Sequence, residues 1–156
     1  MKQPPVNSSV CYCINLRRAA QSLTEYYDAA LKKYGISINQ YSIMQNLREN
    51  QPCSTTKLAE IIRLDRTTLV RNLKILLEKG LIKDEKESGR RARRLSVTER
   101  GSELLDAAAV SWKKAQEDLE QFIGKEETLT IMKALLRIEQ FNARIEQFNA
   151  ENFNDE

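Results

Sequence analysis

A chain of 156 residues with 41% apolar and 30% charged side chains can bury a core, and no stretch approaches the roughly 20 apolar residues of a membrane span. It contains no histidine, which excludes His-based acid–base and nucleophilic catalysis and most zinc sites. The net charge of +3 hides an asymmetry, because residues 1–56 carry +3, residues 57–100 carry +6 and residues 101–156 carry −6. A basic middle with an acidic tail is the distribution expected when the middle meets a polyanion.

In chain order, MKQPPVNSS lacks the apolar stretch of a signal peptide; a cytoplasmic protein with no membrane partner is expected. From Cys11 to Tyr34, Ile14, Leu16, Ala19, Ala20, Leu23, Tyr27, Ala30 and Leu31 recur at helical spacing until Gly35. Ser37 or Asn39 caps a second helix bearing Tyr41, Ile43, Met44 and Leu47, which stops before Pro52. Ser54 to Thr56 open a short third helix with Leu58, Ala59, Ile61 and Ile62. Asp65 is the N-cap of a fourth, Arg66 to Lys79, closed by Gly80 with Leu81 folding back on Leu76.

The period then changes. Leu81–Asp84 and Arg94–Val97 fit two short strands joined through ESGRR, with Gly89 at the bend and Leu95 and Val97 facing opposite to Arg94 and Ser96. Thr98 caps a long helix bearing Leu104, Ala108, Trp112, Ala115, Leu119 and Phe122, and Gly124 breaks it. A last helix repeats Ile131, Ala134, Ile138, Phe141, Ile145 and Phe148 at heptad spacing. Within it IEQFNA occurs at 138–143 and again at 145–150. The second copy either lengthens a helix–helix seam or frays into the polar tail.

The three cysteines form no CxxC pair and the five glycines stand apart, so neither a metal site nor a phosphate loop is expected. No cofactor is implied, and an enzyme is disfavoured. Helix, tight turn, helix and hairpin is instead the order of a winged helix-turn-helix. The expected fold is mostly α with a small β-hairpin wing, flanked by N- and C-terminal dimerisation helices. It is one domain over 1–156, with a DNA-binding lobe at 37–98 between helical regions at 10–35 and 99–150.

The fourth helix divides accordingly. Leu69, Leu73 and Leu76, supported by Val70 and Leu77, are expected to face inward. Thr67, Arg71 and Lys74 share an outer face with Arg66, Thr68 and Asn72 beside them, groups that hydrogen-bond base edges and phosphates. Thr55, Thr56 and Lys57, opening the preceding helix, join this set, as does Asp65 at the N-cap. The helix N-terminus adds its N–H groups. Arg90, Arg91, Arg93 and Arg94 crowd the tip and returning strand of the hairpin, where guanidinium groups suit phosphates and a narrow minor groove. Double-stranded DNA is the expected partner. The competing reading is a helical protein-interaction module whose basic centre is merely solvated.

LAEIIRLDRTTLVRNLKILLEKGLIKD followed by GRRARRLSVTERG closely resembles the MarR family of bacterial transcription regulators. The resemblance spans roughly residues 10–140 and joins a D-R-[ST]-T helix start, an L-x-x-x-G-L-[IV] exit, an Arg-rich wing and a T-x-x-G start to the next helix. It implies a homodimer with interlocked terminal helices, and Asp65, Arg66, Thr67, Thr68, Arg71 and Arg91 at the DNA interface. It further implies a repressor on a palindromic operator, released by an oxidant or a small aromatic or phenolic effector. Where the family's wing usually carries an Asp, two residues before Arg91, this chain has Gly89, which leaves the wing less rigid or held by Glu87. Cys11 and Cys13 sit where some of these regulators carry a peroxide-sensing cysteine. Ordinary reduced thiols are the preferred reading of the pair, and a direct bond between them is disfavoured while their segment is helical. Tyr26, Tyr27, Tyr41 and Trp112 are candidates for an effector pocket, although aromatics at helical spacing are more often core.

Overall fold

A computed structural model of the chain describes residues 10–85 and 94–152. The elements run α1 (Tyr12–Leu31), a 3-10 turn (Lys32–Tyr34), α2 (Ile38–Asn50), α3 (Thr55–Ile62), α4 (Arg66–Glu78), β1 (Ile82–Asp84), β2 (Leu95–Val97), α5 (Glu99–Ile123) and α6 (Lys125–Asn152). This is the mostly helical fold with one antiparallel hairpin, a winged helix-turn-helix, that the sequence implies. The chain divides into two compact units, at 1–115 and 116–156. No helix among the described residues is long and apolar enough to cross a membrane.

Local chemistry sets the helix boundaries. Ser37 is the N-cap of α2, its Oγ accepting from the Gln40 N–H at 3.2 Å while Gln40 Oε1 accepts from the Ser37 N–H at 3.3 Å. This reciprocal box satisfies two of the helix's orphan donors. A third, the Ile38 N–H, donates to Asp28 Oδ1 of α1 at 2.6 Å, so the two helices share a bond where α2 begins. α3 ends at Arg63 in the left-handed region, with φ 50°, which turns the chain sharply into α4. At the far end of α4, Gly80 takes φ 66°, donating to the Leu77 carbonyl at 2.9 Å while the Leu81 N–H reaches the Leu76 carbonyl at 3.0 Å. These two bonds make a Schellman cap, and the buried pair Leu76 and Leu81 is its apolar contact.

The core of the first unit gathers one face from each element: Leu31 of α1, Leu47 of α2, Leu58 of α3, Leu69, Leu73 and Leu76 of α4, Leu95 of β2 and Leu105 of α5. Arg48 of α2 also pairs with Asp106 of α5 at 2.6 Å. Tyr41 stacks on Trp112 with centroids 5.9 Å apart, and Tyr26 meets Tyr27 edge-on at 5.7 Å.

The burial pattern adds what spacing leaves open. All three residues of β2 are buried, Ser96 included. A third strand-like segment joins the hairpin. Cys53 exchanges backbone bonds with Leu95 at 3.0 and 2.9 Å, so β2 is flanked on both edges, by β1 and by Cys53. In α5, Leu105 is fully buried whereas Phe122, expected on the apolar stripe, is 87% exposed. In α1 only Tyr27 and Leu31 are buried, and Ile14, Leu16 and Leu23 are exposed. The second unit is dominated by α6, whose backbone helix continues through both copies of the repeated hexapeptide to Asn152.

The start of α5 has the tightest backbone approach. Thr98 donates its N–H to the Leu81 carbonyl at 3.1 Å and its hydroxyl to the Gly80 carbonyl at 2.8 Å. The same Thr98 Oγ1 accepts from the Gly101 N–H at 3.0 Å. A Cβ on Gly101 would lie 2.0 Å from the Leu81 oxygen and 2.9 Å from Val97 Cγ1. Gly101→Ala should therefore cost about 2 kcal/mol or more through overpacking against backbone, against about 1 kcal/mol for Gly80→Ala, where only the left-handed φ is strained. Chemical denaturation of the two variants checks the order, and equal midpoints would refute it.

Candidate nucleic-acid interface

The two faces of α4 separate largely as its sequence implies. Leu69, Leu73 and Leu76 are buried, while Arg66, Thr67, Arg71 and Lys74 are exposed. Thr68 and Asn72 are half-buried at the edge, with Asn72 Nδ2 donating to the Thr68 carbonyl at 2.9 Å. Leu77 packs against the core. Val70 does not. It is 49% exposed, since one residue beyond Leu69 is about 100° around the helix and leaves the buried stripe.

The outer face begins at a built cap. Asp65 Oδ1 accepts from the Thr68 N–H at 2.8 Å. Hydrogen bonds from the Thr68 hydroxyl and then the Thr68 N–H, with a further contribution from Arg71, hold the Asp65 carboxyl below its ordinary range. Asp65 therefore stays ionised as a cap, and it orders the first turn that presents Arg66 and Thr67.

α3 brings its own start to the same place. Thr56 and Lys57 are exposed; Thr55 is half-buried, with its Oγ1 covered. Thr55 and Thr56 line a cavity of about 150 Å³ with Ala59, Leu64 and Arg66, which puts the beginnings of α3 and α4 side by side. Lys57 pairs with Glu60 at 3.5 Å and Lys74 with Glu78 at 3.8 Å, both exposed pairs of the weak kind.

Of the four wing arginines, Arg94 lies among the described residues, and its carbonyl accepts from the Glu85 N–H at 2.8 Å, extending the hairpin beyond β1 and β2. Arg90, Arg91 and Arg93, with Gly89 and Glu87, lie outside the described residues. Sequence reasoning missed Glu85 at the base of this hairpin. Its carboxyl is held below the ordinary range by the hydrogen bond and charge of Lys83, aided by Ser96 and Arg94, so an acidic group here sits within a local neutralising cluster.

Cys11 and Cys13 are exposed and Cys53 is buried, with no disulfide among them. Cys11 is the N-cap of α1, in an extended conformation, so only Cys13 lies within the helix. Among the described residues no group of three or more His, Cys, Asp or Glu is placed to hold a metal.

The MarR family model matches residues 36–91, the segment from the entry to α2 into the hairpin. The organic hydroperoxide resistance transcriptional regulator of Bacillus subtilis is 30% identical over 132 residues, covering 79% of this chain and 88% of that protein. The HTH-type transcriptional regulator SarZ of Staphylococcus epidermidis is 25% identical over 136 residues, covering 78% and 92% respectively. Among solved structures, the transcriptional regulator MosR of Mycobacterium tuberculosis in complex with DNA superposes with a TM-score of 0.76 at 27% identity, over 86% of this chain and 98% of that one.

The cap makes a separable prediction. Asp65→Ala should weaken DNA binding by about tenfold by fraying the first turn of α4, while Asp65→Asn, which keeps a capping oxygen, should retain most of the affinity. Because the folded-state value of Asp65 is depressed, its cap contributes fully above about pH 4 and is lost as the pH falls through the folded value. Acid unfolding followed by circular dichroism should therefore be less steep below about pH 4 in Asp65→Asn. Identical affinities for the Ala and Asn variants would discount the cap.

Proposed function

The chain belongs to the MarR family of transcription regulators and is a DNA-binding transcription regulator, and from that premise we propose a homodimeric, cytoplasmic repressor without enzymatic activity. The observation that carries the DNA-binding mode is the outward face of α4: Arg66, Thr67, Arg71 and Lys74 exposed above a buried leucine stripe and behind the Asp65 cap. Two such helices, one per subunit, enter successive major grooves of a palindromic operator about one helical turn apart. Arg94 at the base of the hairpin, together with Arg90, Arg91 and Arg93 just before it in sequence, contacts the flanking phosphates and minor groove. The lobe at 37–98 does the binding, and the helical regions at 10–35 and 99–150 hold the dimer. Exposed apolar side chains on α1 (Tyr12, Ile14, Leu16) and, separately, on α6 (Leu136, Ile138, Phe141) support that assignment, since several large apolar groups left exposed on one helix suit an association surface.

The decisive experiment is a fluorescence-anisotropy titration against the DNA upstream of the protein's own gene and a shuffled duplex, at two salt concentrations. The upstream duplex is preferred, and the affinity falls steeply with salt. Arg71→Ala weakens the specific complex by about tenfold or more. Arg91→Ala and Arg94→Ala lower affinity and reduce the salt slope by about one unit for each phosphate left unneutralised. A specific complex that survives all three changes unweakened would sink the assignment.

The releasing signal is an oxidant or a small aromatic effector. Exposure of both Cys11 and Cys13 at the start of α1 favours the oxidant. A hydroperoxide converts one thiol to a sulfenic acid and is itself reduced to the alcohol; the second thiol then condenses with loss of water. Closing that disulfide requires the first turn of α1 to unwind. Peroxide should abolish operator binding in the wild type and leave the Cys11→Ser/Cys13→Ser double variant bound. Equal release of both proteins would assign the signal elsewhere.

A further inference from the structure

Among the described residues from Tyr27 to Ala109, Val70 is the one large apolar side chain that stands exposed. It sits on α4, one residue from Arg71, three from Thr67 and four from Lys74. Side chains three and four apart share a helix face, so its isopropyl group stands among the hydroxyl and cationic groups of the outward face. This placement has no folding rationale. Val70 belongs to neither the core cluster nor the shell packed against it, and a β-branched residue is a poorer helix former than Ala, Lys or Arg at an exposed position.

An apolar group in that setting has a specific chemical complement. In the major groove the base edges present hydrogen-bond donors and acceptors, and thymine alone also presents a methyl group, at C5. Arg71 and Lys74 discriminate by hydrogen bonds; an isopropyl group cannot, and it gains only by displacing water from another apolar surface. We propose that Val70 is a specificity-determining residue that contacts the C5-methyl of a thymine in the operator, so that this regulator reads T against C at that position through an apolar contact. The inference rests on the docking of α4 in the major groove.

The test uses the full-length protein and DNA selected by it from fragments of its own genome. The selected duplex is resynthesised with deoxyuridine replacing thymine at one position at a time, which removes the methyl and leaves every hydrogen-bonding group in place. Wild type should lose about fourfold in affinity at one thymine of each half-site, the factor supplied by burying a single methyl group. Val70→Ala should bind the thymine duplex about as weakly as wild type binds the uracil duplex, and should lose nothing further at that position. Its thermal midpoint should equal or exceed wild type, because Ala is the better helix former. No deoxyuridine position that weakens wild type would overturn the proposal, as would an equal loss in wild type and Val70→Ala, which would assign the methyl contact to another side chain. Failure to select any duplex would instead overturn the DNA-docking reading, and this inference with it.

Discussion

The carbonyl groups of Gly80 and Leu81 are where the fold of the first unit is joined. The Schellman cap that ends α4 turns these two carbonyls toward Thr98, whose N–H and hydroxyl both donate to them. The same threonine then caps α5 through Gly101. In one place, the exit of α4, the start of β1, the return of β2 and the entry of α5 are bonded together. The approach is so close that only a residue without a Cβ fits opposite the Leu81 oxygen. The T-x-x-G start of α5 and the G-L exit of α4 are thus two halves of one contact. Joined across the hairpin, they fix the hairpin's root relative to α4.

Features fixed by near neighbours are legible in the sequence. Ser37, Asp65, Gly80 and Thr98 act as caps over three or four residues, and each sits where its side-chain chemistry says it should. The face of α4 bearing Thr67, Arg71 and Lys74 follows from helical period alone. What the sequence conceals depends on distant chain. The outer edge of β2 is paired by Cys53, more than forty residues earlier, and no alternation rule applied to the strand itself contains that information. Leu105 and Val70 escape for a different reason. Each lies one residue beyond a stripe that helical period does identify, and the exact boundary of a buried face is set by what packs against it. In α1, period marks a face as apolar without saying what covers it.

Charge and shape divide the work of DNA recognition. Residues 57–100 carry +6, and the attraction of such a charge for a polyanion is long-range and indifferent to sequence. The exposed side chains of α4 are held in place by the Asp65 cap and the buried leucine stripe. Two acidic groups within this region are accounted for locally: Asp65 is satisfied by Thr68, and Glu85 by Lys83 and Ser96. The −6 of residues 101–156 lies downstream of the basic segment in the chain.

The repeated hexapeptide in α6 has an evolutionary consequence. Seven residues separate Ile138 from Ile145 and Phe141 from Phe148, so one added copy lengthens the helix by about 10.5 Å while turning its side chains by only ~20°. A duplication of this size preserves the azimuth of the apolar stripe, whereas insertion of five or six residues would rotate everything beyond it onto the wrong side. Helical arms of this kind can therefore grow or shrink by whole heptads in single genetic events, each intermediate retaining a usable surface. The length of the arm is in this sense quantised, and it can diverge between relatives without a compensating change in the DNA-binding lobe.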